Sequence, residues 1–458
     1  MIRLRPYKDT DAKVILSWCK NEVDFYKWTA GVLGNYPITE KEFDFVHSLI
    51  PFTAIDESGI AGFFTLRNPG DSLDELRFGL VIVNPAIRGK GYGKAMIQQG
   101  LKFVFQIYGA RKASLGVFEN NPSAYHCYKA AGFQDMISGN TKTYHVMDED
   151  WRCLELTMKP YRVYQVDSFT KDRFHGNPAG VVPNADGLSD EQMQRIAREL
   201  NNSETAFMFE SNSSDYDVEV RFFTPTTEVP ICGHATIAAH YVYAKEKNAA
   251  SGTVIQKTKA GILPVTMIRS KNDYSIVMTQ GTPAVSEPFD DKVRNQIAHA
   301  LGISQEDMCQ EYPVAISSTG HSKVMVPIVS NELLHALKPD LQMLTEISRQ
   351  IGCNGYYVFT LNPQEEILVH GRMFAPAIGI AEDPVTGNAN GPLGAYLVHF
   401  NIMQDINSKS FDFDIIQGEA IKRDGIMHVH VDKEQGKPKL VQITGNAVIV
   451  YTTEIIPT

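Results

Sequence analysis

Cys232-Gly-His-Ala-Thr-Ile-Ala-Ala-His-Tyr-Val242 and Thr386-Gly-Asn-Ala-Asn-Gly-Pro-Leu-Gly-Ala-Tyr-Leu397 read as two copies of one unit. Each is a polar turn with glycine, then a helix of small residues that ends in bulky apolar ones. Each follows an acid and a proline, Glu228-Val-Pro230 in the first copy and Glu382-Asp-Pro384 in the second. Two copies of a strand–loop–helix unit predict two related lobes with a site between them. The helix starts at Gly233 and Gly387 would offer N–H groups to a substrate carboxylate.

Working outward, Ser189-Asp-Glu-Gln192 has capping-box spacing and begins a helix whose buried stripe is Met193, Ile196, Ala197 and Leu200. Thr205 to Phe209 then reads as a strand. Further upstream, Cys153 to Met158 alternates like a closing strand and Tyr161 to Val166 like an opening one, with Pro160 between them. A proline without turn residues to make a hairpin predicts separate sheets. The expected domains are therefore residues 1–160 and 161–458. The second divides into about 161–284 plus 440–458, and about 285–439.

The first segment has a second strand–loop–helix order. Leu76 to Val83 reads as a strand, Arg88-Gly-Lys-Gly-Tyr-Gly-Lys94 as a glycine loop, and Lys94 to Tyr108 as a helix with Ile97, Leu101, Val104 and Tyr108 on one face. Ala113 to Phe118 reads as a strand and Ser123 to Ala131 as a helix ended by Gly132. A pyrophosphate needs several donors at close range. Glycines let the backbone approach, and a helix N-terminus adds N–H groups and a favourable dipole. The glycines at 89, 91 and 93 fit neither a Walker loop nor a dinucleotide fingerprint. A plain glycine-rich turn is the competing reading of the loop alone. Tyr128 lies seven residues after Asn121, two helical turns, so both can face one side. A tyrosine there could protonate a departing thiolate, or simply be a half-buried core residue.

Composition narrows the partners. The net charge of -10 argues against binding nucleic acid through phosphate neutralisation, and no Lys/Arg cluster reverses this locally. There is no apolar run long enough to span a membrane, and Met1 to Lys8 lacks the apolar core of a signal peptide. The six cysteines form no CxxC pair, so a metal ribbon or disulfide scaffold is not expected, and a reducing cytoplasm is the expected home.

Three groups of the larger segment suit proton transfer. Glu204 sits in Asn202-Ser-Glu-Thr205, just before an apolar strand, where desolvation favours a useful base. His234 stands at a probable helix start and Asp383 at the matching place in the second copy. Their plain alternatives are a solvated turn glutamate, a capping histidine and an N-cap aspartate. Cys232 is read as a buried cysteine rather than as the thiol of an epimerase, which would want a second cysteine near Asp383 and Thr386.

Two resemblances follow. Arg88-x-x-Gly91-x-Gly93 with Asn121, Ala124, Tyr128, Gly132 and Phe133 resembles the GNAT superfamily of N-acetyltransferases over about residues 1–159. It implies acetyl-CoA as co-substrate. Main-chain groups of Val81 and Val83 would hold the pantetheine arm. Arg88, Gly89, Lys90, Gly91, Tyr92, Gly93 and Lys94 would hold the pyrophosphate, Asn121 would contact the cofactor, and Tyr128 would be the general acid. The general base is not specified, and Glu75 is a candidate.

Val166-Asp-Ser-Phe169, Gly176-Asn-Pro-Ala179, Asn202-Ser-Glu-Thr205, Gly233-His-Ala-Thr236 and Glu382-Asp-Pro-Val-Thr-Gly387 resemble the PhzF family of phenazine-biosynthesis-like isomerases. This implies the diaminopimelate-epimerase-like α/β (α+β) fold: two similar lobes, each a curled sheet around a central helix, beside a GNAT domain with a mixed sheet. It implies Glu204 as proton-abstracting base, with His234 and Asp383 orienting the substrate or assisting proton return. Gly233, Gly387 and Asn388 would contact substrate. Asn388 replaces the serine of the phenazine enzyme, which puts the phenazine substrate itself in doubt. The family works without metal or cofactor on small molecules and is usually a homodimer. The expectation is a bifunctional acetyltransferase and isomerase or epimerase. The alternative is that one domain only binds or senses a ligand.

Overall fold

Pro160 separates two sheets, as its position predicts: Glu149–Met158 closes the first, and Tyr161–Ser168 opens the second. The computed structural model describes residues 2–70, 73–136, 142–402 and 407–456. One compact unit spans Met1–Tyr161 and includes the residues from Glu454 on; the other is Arg162–Thr453. The expected end of the second domain at 458 is thus shortened. Ile456 packs on the core of the first unit instead.

The first unit is built on an eight-stranded mixed sheet. Glu75–Val83 pairs antiparallel with Gly59–Arg67 on one side. On the other side it meets Lys112–Phe118 in parallel, but only from Glu75 to Arg77. Beyond that point the two strands part. The irregularity sits at Leu80, whose φ is +48°, where the register with Gly59–Arg67 also shifts. Bulges of this kind re-aim side chains. Before it, Leu76 and Phe78 face the core that includes Ile97 and Leu101. After it, Leu80 and Ile82 face the other core, with Phe25 and Phe43.

The helix expected at Lys94 to Tyr108 begins earlier, at Tyr92, and runs to Lys102. Gly91, at φ +81°, is its N-cap and lets the chain enter the helix directly. Phe103–Ile107 continues as a π turn, and the expected stripe holds, with Ile97, Leu101 and Val104 in the core and Tyr108 packed against it. Pro122–Ala130 is capped by Asn121, whose side chain accepts from the Ala124 N–H, with proline favourably at the first helical position.

In the second unit, strand pairing runs as one closed path from Tyr161–Ser168 to Lys437–Ile455. The expected pair of separate curled sheets is joined because Lys437–Ile455 is long enough to pair twice. Its residues 442–446 pair with Asp273–Thr279, and residues 437–444 pair with Gly425–Glu434. Two helices lie inside. Gly233–Lys247 packs on Asn177–Val182, Glu204–Glu210, Gly261–Ser270 and Asp273–Thr279. Gly387–His399 packs on Ala315–Ser318, Ser322–Pro327 and Gly425–Glu434. Both are apolar or small nearly all round, as a helix buried on every side must be. Asp190–Leu200 carries the predicted capping box from Ser189 and Gln192. Among the described residues no helix is long and apolar enough to cross a membrane.

Candidate active sites

In the first unit, the parting of Glu75–Val83 from Lys112–Phe118 opens a cavity of about 1050 Å³. Among the described residues the strand edge from Phe78 to Val83 that faces the gap has no strand partner there, which leaves main-chain groups short of the Val83 carbonyl open to the cavity. Val81 and Val83 line the cavity, as do Arg88, Gly89, Gly91, Tyr92, Gly93, Lys94, Asn121 and Tyr128. Gly89 and Gly91 both have left-handed backbone, at φ +76° and +81°, which folds the loop onto the start of the helix. The first N–H groups of that helix have no intrahelical acceptor. A Cβ on Gly93 would lie 2.8 Å from Cys127 Sγ, so the two helices meet there without room for a side chain. Arg88 Nε donates to the Val83 carbonyl at 3.1 Å and braces the loop against the strand.

Two expectations are corrected. Lys90 is exposed and is not among the lining residues, because it sits at the loop tip between the two left-handed glycines. Glu75 does not line the cavity either. It is bound by Lys112 Nζ at 2.9 Å and by the Ser114 hydroxyl where the two strands still touch. Burial alone would raise its pKa, but those bonds hold the carboxyl below its ordinary range. A carboxylate so engaged is a poor base.

Tyr128 is only 7 % exposed and packs among apolar side chains. Burial pushes its phenol well above the usual tyrosine range, with Cys127 adding to the effect, so it holds its proton. The Asn121 oxygen is used in capping, and its amide nitrogen takes no part in that cap. These features fit an acyl-coenzyme A: a glycine cradle at a helix start, Arg88 and Lys94 for phosphate charge, and an open strand edge for an extended arm.

In the second unit, Glu204 is the first residue of its strand and His234 the second of its helix. Glu204 Oε2 lies 3.4 Å from His234 Nε2, with side chains 19 % and 9 % exposed. Ser203 Oγ is 3.2 Å from the same nitrogen, and Cys232 Sγ is 3.4 Å from Nδ1. The Ser168 hydroxyl donates to the His234 carbonyl at 2.8 Å and fixes the helix start. Cys232 is buried, and burial first, with the Glu204 charge second, drives its thiol pKa far up. A thiol so placed is a packing residue, not a ready nucleophile. Its sulfur and the nearest atoms of Glu204 and His234 nevertheless lie within 4.8 Å of one another, a spacing that would suit a cation.

Asp383 ends the strand Ile380–Asp383, and Thr386 rather than Asp383 is the N-cap of the following helix. Asn177 Nδ2 donates to Asp383 Oδ1 at 2.9 Å, and the Thr386 hydroxyl donates to Oδ2. Burial raises the Asp383 carboxyl above its ordinary value. The His234 charge and the bonds from Thr386 and Asn177 oppose this, and Glu204 reinforces it. The three predicted groups therefore share one electrostatic environment. The two helix starts also meet: a Cβ on Gly233 would lie 3.9 Å from Asn388 Oδ1 and 4.0 Å from Gly387 Cα. Neither Cys232 nor Thr386 makes a side-chain cap bond, which leaves first-turn N–H groups for a ligand. A Cβ on Gly387 would meet Ile443 Cδ1 at 2.5 Å, so a larger residue there would displace that side-chain tip.

Several supporting residues went unread. Asn177 lies in a quoted motif, yet its bonds to Asp383 and to the Val385 carbonyl require the fold. Gln417 donates to the Asp383 carbonyl at 2.8 Å and accepts from the Thr386 N–H and Asn390. Lys323 is a buried ammonium on the Ser322 carbonyl. Burial lowers its pKa, while Cys353 and Asp383 pull it back. An isolated lysine in Ser322–Pro327, an otherwise apolar strand, was the available signal. The repeat also extends to a brace. Glu228 is gripped by Arg221 at 2.8 Å through two bonds, and Glu382 by Arg372 at 2.9 and 2.7 Å. The residue after each glutamate differs: Val229 in the first copy, Asp383 in the second.

Residues 166–453 match the family described as phenazine biosynthesis-like protein, and residues 17–133 match the acetyltransferase (GNAT) family. An uncharacterised isomerase of Clostridium acetobutylicum is 55% identical over 300 residues, 65% of this chain and 99% of that protein. The uncharacterised isomerase YddE of Escherichia coli K12 is 48% identical over 302 residues, 65% of this chain and 98% of that protein. The crystal structure of a Bacillus anthracis phenazine biosynthesis protein of the PhzF family is 32% identical with a TM-score of 0.59, covering 65% of this chain and 100% of that one.

Proposed function

Because this chain belongs to the phenazine biosynthesis-like protein family and carries a GNAT acetyltransferase domain over residues 17–133, we propose that it performs two separate chemistries. In the second unit it isomerises or epimerises a small amino-acid-like metabolite by proton transfer, without metal or cofactor. The unit reads as two similar lobes, each curled around one of the helices Gly233–Lys247 and Gly387–His399. The matching Arg221–Glu228 and Arg372–Glu382 braces support that reading.

Glu204 removes a proton from carbon. Asp383, its carboxyl raised by burial and held by Asn177 and Thr386, returns a proton from the other lobe with His234. Asn388 and the N–H groups at Gly233 and Gly387 hold the substrate carboxylate. The observation that carries this reading is the 3.4 Å approach of Glu204 to His234 beside the meeting helix starts. Incubating amino acids with the protein in deuterated water and following uptake tests it. Uptake should fall about 10³-fold in Glu204→Gln. Equal uptake by both proteins removes Glu204 as the base.

In the first unit the cavity holds an acyl-coenzyme A beside an amine. An acyl-coenzyme A bound there would supply the thioester; the amine nitrogen would take the acyl group and release a proton to solvent as the C–S bond breaks. Tyr128 gives its proton to the departing thiolate. The open strand edge at Val81 and Val83 supports an extended arm lying between the parted strands.

A further inference from the structure

The cavity of the first unit is also lined by Trp28, Arg67, Arg77, Phe118, Tyr144 and Cys153. Arg67 and Arg77 are direct partners across the antiparallel pair of Gly59–Arg67 and Glu75–Val83, so their side chains rise from one face. Like charges placed opposite one another repel. Half of this conflict is resolved within the sheet. Arg77 reaches over Gly116, where a Cβ would lie 2.8 Å from its Nη2, and pairs with Glu155 through two bonds of 2.6 and 2.9 Å. Its charge is spent.

Arg67 has no carboxylate within ion-pair distance among the described residues. Asp24, the carboxylate among the lining residues, is bound by its own helix cap, with Asn21 Nδ2 donating to it at 2.9 Å. Lys27 adds a further cation to the wall. The fields of Arg77 and Arg67 both reach the Tyr144 hydroxyl, where they oppose the effect of burial. Among the described residues the cavity wall thus carries a guanidinium without a counter-ion, opposite Arg77 in the sheet and near Tyr144.

We propose that Arg67 binds the carboxylate of the acyl acceptor, so that the acceptor is an amino acid with a free carboxylate rather than a polyamine or a neutral amine. The proposal rests on the acetyl-transfer reading of the cavity. A planar guanidinium matches a carboxylate through two parallel bonds, and the side chain of an amino acid would lie against Trp28, Phe118 and Tyr144. A polycation would meet Lys27 and Arg67 with the wrong charge.

The test uses the full chain, L-amino acids, their C-terminal amides and spermidine, in two measurements. The first is acetyl transfer. The second is calorimetric binding of the same compounds to protein saturated with coenzyme A, which needs no turnover. Free acids should be preferred over their amides about tenfold or more in both. Arg67→Gln, at an exposed position that should leave folding intact, should raise KM for the acids by the same factor with kcat nearly unchanged, and Arg67→Lys should recover part of it. Equal binding of acids and amides, a preference for spermidine, or an unchanged KM in Arg67→Gln overturns the proposal. Arg67-dependent binding of acids without transfer of any acyl group would leave the proposal standing and overturn acetyl transfer.

Discussion

In the first unit one phenol, Tyr128, stands in an apolar wall beside a cavity of about 1050 Å³, whereas in the second Glu204, His234 and Asp383 stand in one another's electrostatic field. The first arrangement leaves room for a large co-substrate that brings its own reactive group. The second places Glu204 3.4 Å from His234, with Asp383 in their field, beside two meeting helix starts. The contrast teaches how each site is held. Tyr128 is fixed by packing alone. Asp383 is fixed by hydrogen bonds from Asn177 and Thr386, with Gln417 behind them.

Substitutions separate the two sites. The largest effects should come from the proton carriers. Tyr128→Phe should lower kcat for acetyl transfer about 10²-fold while acetyl-CoA binding, followed by calorimetry, stays the same. A fall in binding instead would make Tyr128 a packing residue. Asp383→Asn should slow deuterium uptake about 10²-fold and leave acetyl transfer unchanged.

The same substitution has a pH signature. The folded-state pKa of Asp383 is raised from its ordinary 3.8. Its stabilising contribution is therefore present below the unfolded value and lost as pH rises through the folded one. Asp383→Asn should then raise the melting temperature of the second unit by about 1–3 °C at pH 7 and by less near pH 4. A gain that does not depend on pH would count against burial as the cause.

Smaller effects probe the frame. Gly93→Ala should weaken acetyl-CoA binding about tenfold by pushing Cys127 away, and adding Cys127→Ala should restore part of it. At the null end, a chelator should leave deuterium uptake unchanged. Loss of uptake that zinc restores would instead assign Glu204, Cys232 and His234 to a metal.

Much of the frame could be read from local patterns. The capping box at Ser189, the glycines at 89 and 91 and the proline at the sheet boundary each act over a few residues. What could not be read depends on register. The register shift beside the parting strands falls at Leu80, a non-glycine residue at φ +48°, and nothing in its identity announces this. Glu75 looked available until the parallel pairing brought Lys112 and Ser114 to it. Asn177 and Gln417 reach Asp383 and its carbonyl from positions far away in sequence. Arg67 and Arg77 are ten positions apart in the chain, yet opposite one another in the sheet.

The central claim is that one chain carries two independent proton chemistries. A crossed measurement tests it most directly, with deuterium uptake and acetyl transfer assayed on the same preparations of the unaltered protein, Glu204→Gln and Tyr128→Phe. Glu204→Gln should lose uptake and keep transfer, while Tyr128→Phe should lose transfer and keep uptake. Loss of both activities in either variant, or retention of uptake in Glu204→Gln, would contradict it.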